Sequence, residues 1–328
     1  MDSLIFSINA IAPIIIIVAL GYFLKKIGWM DGKFAKMANK LVFHVFLPSM
    51  LFLNVYKIGG LGEVEIGYII YTVVLLLAVF IISLPLVMLV TKRSERRGAL
   101  WQAAFRSNYA LIGIPLAESL FGVEGAMIAT ILSAATVPTL NILAVISLSV
   151  FSKDGKKTSV GKILLGVVKN PLIQGVFLGL LVLVIRALFV KVGIGFRLSD
   201  IKPVYTALEY LGRVATPIAL LCLGAQFEFS AVKELQKEII FGTLARTVAV
   251  PLIGIGIALL FFREHFYGAH FAAFIAVFAT PVSISSVPMA QEMDSDVTLA
   301  GQLVVWTTLV SAFSIFLIAF ILRSVGIF

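Results

Sequence analysis

Long apolar runs alternate with short polar segments along almost the whole chain. A transmembrane helix needs about 20 predominantly apolar residues to cross the hydrocarbon core of a bilayer. On this measure the pattern predicts an all-α polytopic membrane protein with ten transmembrane helices. The predicted spans cover residues 3–24, 34–56, 66–90, 98–121, 126–151, 164–190, 203–225, 238–262, 268–291 and 299–325.

Composition agrees with this class and excludes several others. Of 328 residues, 60% are hydrophobic and 13% are charged, whereas soluble proteins are about half apolar and about a quarter charged. The single cysteine, Cys222, lies in an apolar span, so no disulfide framework is expected. No Walker loop and no protease or esterase motif occurs. We therefore expect no enzyme activity, no cofactor and no metal site.

The net charge of +9 indicates membrane topology rather than a nucleic-acid partner, because the basic residues concentrate in short loops. Loops after the odd-numbered spans hold most of them, within residues 25–36, 92–97, 153–162 and 233–237. Cytoplasmic loops carry the excess of lysine and arginine. The pattern predicts a multi-pass protein of the cell membrane with both termini on the extracytoplasmic side.

The two halves of the chain repeat one another. Three nearly equal shifts each align a proline of one half with a proline of the other: 158 residues for Pro13 and Pro171, 169 for Pro48 and Pro217, and 173 for Pro115 and Pro288. Because five spans is an odd number, the second copy enters the membrane from the opposite side, as in many secondary transporters. The predicted units are residues 1–151 and 164–328, joined by a cytoplasmic linker at 152–163.

The fourth and ninth spans are interrupted by polar and helix-breaking residues. Residues 106–115 read Arg-Ser-Asn-Tyr-Ala-Leu-Ile-Gly-Ile-Pro, and residues 280–288 read Thr-Pro-Val-Ser-Ile-Ser-Ser-Val-Pro. Proline removes a backbone donor and disrupts the helix around it. Two such interruptions in corresponding places indicate a transporter's binding site. In the fourth span we expect a helix from about 98 to 113 that breaks at Pro115.

The candidate substrate-binding residues lie at these interruptions and in nearby helices. Asn108 has amide donors and an acceptor for a carboxylate, or it could satisfy only the carbonyls that Pro115 frees. Each serine could contact substrate or bond to its own helix. Half-helix N-termini would favour an anion. The full set is Arg106, Asn108, Tyr109, Gly113, Pro115, Asn141, Arg246, Pro281, Ser283, Ser285, Ser286, Pro288 and Gln302.

Arg106 and Arg246 each lie roughly eight residues, or about 12 Å, past the cytoplasmic start of their spans. Charge at this depth indicates function by default, although each side chain could instead snorkel to the surface. Asn141 and Gln302 could complete a polar pocket or could bridge neighbouring helices. Glu209 and Arg213 are spaced i,i+4 and could neutralise one another as a structural pair.

These features together resemble the auxin efflux carrier family, which includes the plant PIN-FORMED carriers and many bacterial members. The resemblance covers essentially the whole chain, and its most specific part is Ser107-Asn-Tyr-Ala-Leu-Ile-Gly-Ile-Pro-Leu116. It implies unwound fourth and ninth helices that cross beside the substrate site at Asn108, Pro115 and Pro288. It also implies a scaffold of spans 1, 2, 6 and 7, often dimeric, and a moving domain of spans 3–5 and 8–10.

One departure concerns the second copy, where the repeat shift places Pro281 opposite Asn108, so a matching asparagine is missing. Binding through Ser283 and Ser285 would replace it. The long cytoplasmic loop of the plant carriers is also missing.

The sequence therefore predicts a secondary transporter that moves a small organic anion by an elevator-type mechanism. The resemblance implies an auxin-like carboxylate or a dicarboxylate such as malonate or malate. A transport-inactive membrane sensor with the same pocket and a cation-coupled symporter are the alternatives. A homodimer through the scaffold is expected, because Gly175-x-x-x-Gly179 in the sixth span permits close backbone approach. The same motif could equally serve packing inside one protomer.

Overall fold

The protein is described by a computed structural model that covers residues 2–57, 66–151 and 160–328. Within these ranges every regular element is a helix, and one isolated antiparallel β-bridge occurs. Most of the predicted linker, residues 152–159, lies outside the described residues. The α-helices are α1 (Asp2–Lys26), α2 (Gly32–Leu41), α3 (Leu47–Tyr56), α4 (Ile66–Val90), α5 (Ser94–Phe105), α6 (Ile114–Val150), α7 (Val160–Lys169), α8 (Pro171–Lys191), α9 (Lys202–Gln226), α10 (Ala231–Glu234), α11 (Gln236–Leu244), α12 (Val250–Phe261), α13 (Gly268–Phe278), α14 (Ser286–Glu292) and α15 (Val297–Ser324).

Seven helical stretches of the described residues are long and apolar enough to cross a membrane. The longest, Tyr109–Val150, has 42 residues. It contains a break at Phe121 and Gly122, between the predicted fourth and fifth spans. Gly122 has a φ of 61°, a conformation that glycine adopts without a Cβ penalty. The chain is therefore an all-α, multi-pass membrane protein, and the count of ten spans stays a prediction.

Three α-helices are preceded by a single turn of π-helix. The π-turns cover Val42–Phe46, Tyr109–Gly113 and Ala245–Ala249, before α3, α6 and α12. Each following helix carries proline in its first turn, at Pro48, Pro115 and Pro251. A proline ring clashes with the carbonyl four residues earlier, and a π-turn widens the helix at that point. The prolines are thus accommodated without ending these helices.

The helices pack in two sets. The first set consists of α1, α3, α8 and α9, where α1 packs on α9 and α3 packs on both α8 and α9. In the second set α6 packs on α13, α5 packs on α4 and α6, and α15 packs on α5, α11 and α14. The substrate site predicted from sequence falls between these sets, as described below.

The glycines of the predicted dimer motif pack inside the protomer. A Cβ added at Gly175 would lie 2.6 Å from the Pro48 carbonyl oxygen, and one at Gly179 would lie 2.9 Å from the Phe52 carbonyl oxygen. Both contacts are with α3, so this face of α8 is already covered. Of the two roles left open by the sequence, the structure shows the one within the protomer.

Replacing Gly175 with alanine is therefore expected to destabilise the protomer without changing its oligomeric state. Inserting a methyl group into a close-packed contact costs about 1–3 kcal/mol, measurable as a lower melting temperature in detergent. Gly256 is the matched control, because it lies inside α12 with nothing within 4 Å of an added Cβ. Gly256→Ala should be neutral or slightly stabilising. A dimer that dissociates in Gly175→Ala at unchanged melting temperature would contradict this assignment.

A charged cluster joins the N-terminal end of α5 to helices of the other half. Arg96 is buried and pairs with Glu234, Glu238 and Asp296. Hydrogen bonding to Arg96 lowers the pKa of the Glu234 carboxyl. The cluster holds α5, α10, α11 and the start of α15 together and so stabilises the second helix set.

Candidate functional site

Both interrupted segments are non-helical, and they lie against one another. Helix α5 ends at Phe105 and the chain becomes helical again at Tyr109, while α13 ends at Phe278 and α14 begins at Ser286. The Asn108 N–H donates to the Pro281 carbonyl at 2.8 Å, and the Ser283 N–H donates to the Arg106 carbonyl at 3.3 Å. The isolated bridge pairs Ser107 with Val282. The backbone groups freed by the two breaks thus satisfy one another.

The break in the first segment differs in place from the prediction. The helix was expected to run to 113 and to break at Pro115, but it ends at Phe105. Pro115 instead lies in the first turn of α6, directly after the π-turn Tyr109–Gly113 that accommodates it within a continuing helix. Asn108 is consequently the residue that precedes the second half-helix rather than a residue inside the first.

Arg246 connects the C-terminal ends of the two half-helices. Its guanidinium is fully buried and donates to the carbonyls of Thr280 at 2.8 Å, Val277 at 2.6 Å and Phe105 at 3.2 Å. The last carbonyls of a helix lack intrahelical donors and carry the negative end of its dipole. Arg246 neutralises both ends at once. It is not among the residues that line the cavity described next.

Arg106 lies in the first break and points toward polar side chains instead. Its guanidinium donates to the side-chain oxygens of Gln102 at 2.7 Å, Asn141 at 2.9 Å and Ser285 at 2.8 Å, and it also contacts the Met289 sulfur. The residue is only 3% exposed. Within the described residues no carboxylate forms an ion pair with it, so its charge is surrounded by neutral partners.

A cavity of about 130 Å³ opens at this point. Its polar wall comes mainly from the two breaks and from the helix after the first one. Its opposite wall comes from α3 and α9 and is mostly apolar. The polar wall consists of Arg106, Ser107, Asn108, Tyr109, Asn141, Ser283 and Ser285, and the opposite wall consists of Leu47, Met50, Leu51, Asn54, Thr216 and Ala219.

Two buried polar groups at this cavity have no hydrogen-bond partner among the residues that the structure describes. They are the Nδ2 amide of Asn108 and the hydroxyl of Ser107. Asn108 makes no side-chain capping bond to the helix that follows it, so its amide is not used to satisfy the break. Buried donors without a partner are costly. Both residues line the cavity, and a small side-chain rotation would present these donors to a ligand that offers acceptor oxygens.

The other candidates fall into two groups. Tyr109 lines the cavity and donates its hydroxyl proton to the Ala129 carbonyl, and Ser283 is hydrogen-bonded to Ser285 at 2.8 Å. Gln302 donates to the Glu228 carbonyl and accepts from Trp306, so it ties α15 to the segment between α9 and α10, away from the cavity. Five further residues are also outside the cavity lining: Gly113, Pro115, Pro281, Ser286 and Pro288.

Several residues at the site were not among those predicted. Gln102 is four residues before Arg106, so the helical period places both on one face and could have revealed it. Asn54 and Thr216 lie in α3 and α9, and the only sequence signal was a polar residue in an apolar span. Their place opposite the breaks depends on how the two helix sets pack.

A second, larger space adjoins the cavity on one side. A larger vestibule of about 370 Å³ shares Met50, Asn54, Leu111 and Thr216 with it. Toward the opposite end of the same span, at Asn39 of α2, three amides join α2, α9 and α14. Asn39 donates to the side-chain oxygens of Gln226 at 3.1 Å and Gln291 at 3.2 Å. These contacts tie α9 of the first helix set to α14 of the second.

Comparison with known proteins identifies relatives of this chain and its family. The chain is 22% identical over 315 residues to an uncharacterized transporter of Methanothermobacter thermautotrophicus, covering 94% of this chain and 96% of that protein. It is 25% identical over 230 residues to an uncharacterized transporter of Methanocaldococcus jannaschii, covering 69% of this chain and 70% of that protein. A profile described as "Membrane transport protein" matches residues 6–319. The chain therefore belongs to this membrane transport protein family, the auxin efflux carrier-like family that its sequence resembles.

Proposed function

We propose that the protein is a secondary transporter of a small organic anion and that the cavity at Arg106 is its substrate site. The observation that carries this proposal is a buried guanidinium without a carboxylate partner among the described residues, beside two unused donors at Ser107 and Asn108. Burying a charge without an opposite charge is unfavourable. A carboxylate ligand would neutralise Arg106 and accept hydrogen bonds from both donors.

The chemistry of the walls supports a carboxylate with a hydrocarbon part. Arginine binds carboxylates through charge-assisted, often bidentate, hydrogen bonds. The opposite wall offers Leu47, Met50 and Leu51 to an apolar group. An auxin-like carboxylate and a short dicarboxylate both fit this description. Transport assays with anions of both kinds would distinguish them.

The position of the cavity supports alternating access by an elevator-type movement. The breaks supply most of the polar groups and belong to the second helix set, whereas α3 and α9 of the first set supply the mostly apolar face. An apolar face can slide past a polar site without breaking many hydrogen bonds. In this proposal spans 1, 2, 6 and 7 form the fixed scaffold of a homodimer, and the two five-span halves are inverted repeats.

The proposal also includes the orientation read from the basic loops, with both termini extracytoplasmic in the cell membrane. The vestibule beside Lys57 then opens outward, and the amides at Asn39, Gln226 and Gln291 close the cytoplasmic side.

The test is uptake and efflux of labelled malonate, malate, acetate and indole-3-acetate in proteoliposomes. We expect saturable flux of at least one of these anions, with an electrical current that persists without sodium. An anion that binds but is never transported would favour the sensor instead. A current that disappears when potassium replaces sodium would indicate a symporter.

Replacing Asn108 with alanine is expected to weaken binding of the transported carboxylate by about ten- to a hundredfold. The lost hydrogen bond to a charged group is worth about 1.5–3 kcal/mol. The side chain makes no capping bond, so the melting temperature of the empty protein should change little. Isothermal calorimetry and thermal unfolding of the same preparation measure both quantities. A large loss of stability at normal affinity would show that Asn108 only supports the break.

A further inference from the structure

The vestibule that leads to the cavity contains three charged side chains, and the two cations lie at different distances from the single carboxylate. Lys57 donates to Glu209 at 2.8 Å, while Arg213 lies 3.6 Å from the other carboxylate oxygen of Glu209. The Lys57 contact is a hydrogen bond. Arg213 makes none within the described residues, and 72% of its side chain is exposed. Lys57 is therefore the closer partner of Glu209, whereas Arg213 is held only by a longer ion pair and makes no hydrogen bond within the described residues.

The charge balance of this vestibule is positive. Its lining holds two cations and one carboxylate, and its other residues are neutral. An arginine with five N–H donors in a planar fork matches the geometry of a carboxylate. A positive, partly enclosed surface also raises the local concentration of anions and their rate of association.

The vestibule is continuous with the inner cavity along two helices. On α9, Arg213 lies one turn before Thr216, which lines both spaces. Lys57, the residue directly after α3, lies one turn beyond Asn54 of α3, which also lines both spaces. An anion leaving Arg213 would meet Thr216 and Asn54 before it reaches Arg106.

We propose that Arg213 is the binding group of an outer capture site for the carboxylate of the substrate, and that Glu209 is its internal competitor. Resting on the transport function proposed above, this inference adds a second anion site held by the first helix set. Glu209 limits the affinity of the capture site, so the anion is passed inward rather than retained. Removing Arg213 should slow capture, and removing the Glu209 charge should strengthen it.

The test measures the charge at the floor of the vestibule without any substrate. Thr216→Cys in a Cys222→Ser background provides one thiol at the point shared by both spaces. Its rate of modification is measured with anionic sulfonatoethyl methanethiosulfonate and with the cationic trimethylammonium analogue. A unit charge one helical turn away changes each rate about fourfold, in opposite directions for the two reagents, so their ratio changes by about tenfold in water at low salt. We expect Arg213→Gln to lower the anionic-to-cationic ratio and Glu209→Gln to raise it.

Lys202→Gln is the matched control, because it removes an exposed cation from the same helix outside the vestibule lining. It should leave the ratio unchanged. Ratios that do not respond to Arg213→Gln and Glu209→Gln, or that respond equally to Lys202→Gln, would overturn the capture site.

A second measurement uses labelled malonate in proteoliposomes. Arg213→Gln should raise KM about threefold or more at unchanged kcat, and Glu209→Gln should lower KM. Altered thiol ratios with an unchanged KM for a transported anion would overturn the capture role. Absence of malonate transport by the unmodified protein would count against that substrate and not against the charge at Arg213, which the thiol ratios decide.

Discussion

Replacing Arg106 with glutamine is expected to abolish high-affinity anion binding while leaving the protein folded. Arg106 is the buried cation of the cavity, and its partners Gln102, Asn141 and Ser285 are all neutral. Losing the charge-assisted hydrogen bonds to a carboxylate should reduce affinity about a hundredfold or more, or about 3 kcal/mol. Calorimetry with the transported anion measures this loss directly.

The melting temperature of the Arg106→Gln variant, with and without an anion, gives a second and independent test of the site. Removing a buried charge that lacks an opposite charge is stabilising, whereas Gln102, Asn141 and Ser285 lose a charged donor. Because these effects oppose one another and a glutamine amide can still donate, Arg106→Gln should change the melting temperature little when no anion is present. The increase in melting temperature that a bound anion produces should disappear. Arg106→Lys is the matched variant, because it keeps the charge but loses the planar fork, and we expect intermediate affinity. Normal affinity in Arg106→Gln would exclude the proposed site.

Replacing Arg246 with methionine is expected to have the opposite signature, a large loss of stability. Three carbonyls at the ends of α5 and α13, those of Phe105, Val277 and Thr280, would lose their donor. A buried polar group left unsatisfied costs about 1–3 kcal/mol, so the total is about 3 kcal/mol or more. This corresponds to a fall in melting temperature of about 4 °C or more for a chain of 328 residues, measured by thermal unfolding in detergent.

Two comparisons keep this second prediction testable even if Arg246→Met folds poorly. Arg246→Lys retains a cation with fewer directed donors. Its melting temperature should therefore lie between those of the unmodified protein and of Arg246→Met. Arg263→Gln removes an exposed arginine that donates to a single carbonyl, that of Val325, and should be nearly neutral. A stable Arg246→Met protein with lost anion affinity would instead place Arg246 in the substrate site.

The two arginines show where the sequence stops being informative. Both lie at similar depth in apolar spans, and the sequence leaves the same two interpretations for each, a functional charge or a side chain that snorkels to the surface. Their roles differ because of the groups that face them. Arg106 lies beside a cavity with unused donors, whereas Arg246 lies between two helix ends.

Hydropathy by itself determined the class of the protein. Apolar runs of transmembrane length cannot be soluble surface, and a polytopic helical protein follows from the high cost of exposed backbone groups in lipid. The sequence also located the two interruptions, because proline, asparagine and serine are unfavourable in the middle of a span unless neighbouring groups satisfy them. The contact between Asn108 and Pro281 joins the two positions that the repeat shift of 173 residues had paired.

Only the tertiary structure decided which groups meet. The helix ends at Phe105 rather than at Pro115, because the first half-helix is completed by Arg246 from another helix and a π-turn accommodates the proline. Gly175 and Gly179 are covered by α3, and Asn54 and Thr216 face the breaks, because helix rotation and packing choose partners across the bundle. A linear pattern records which residues are apolar or polar along one helix. It does not record which neighbour each face contacts, and at this site that neighbour determines the chemistry.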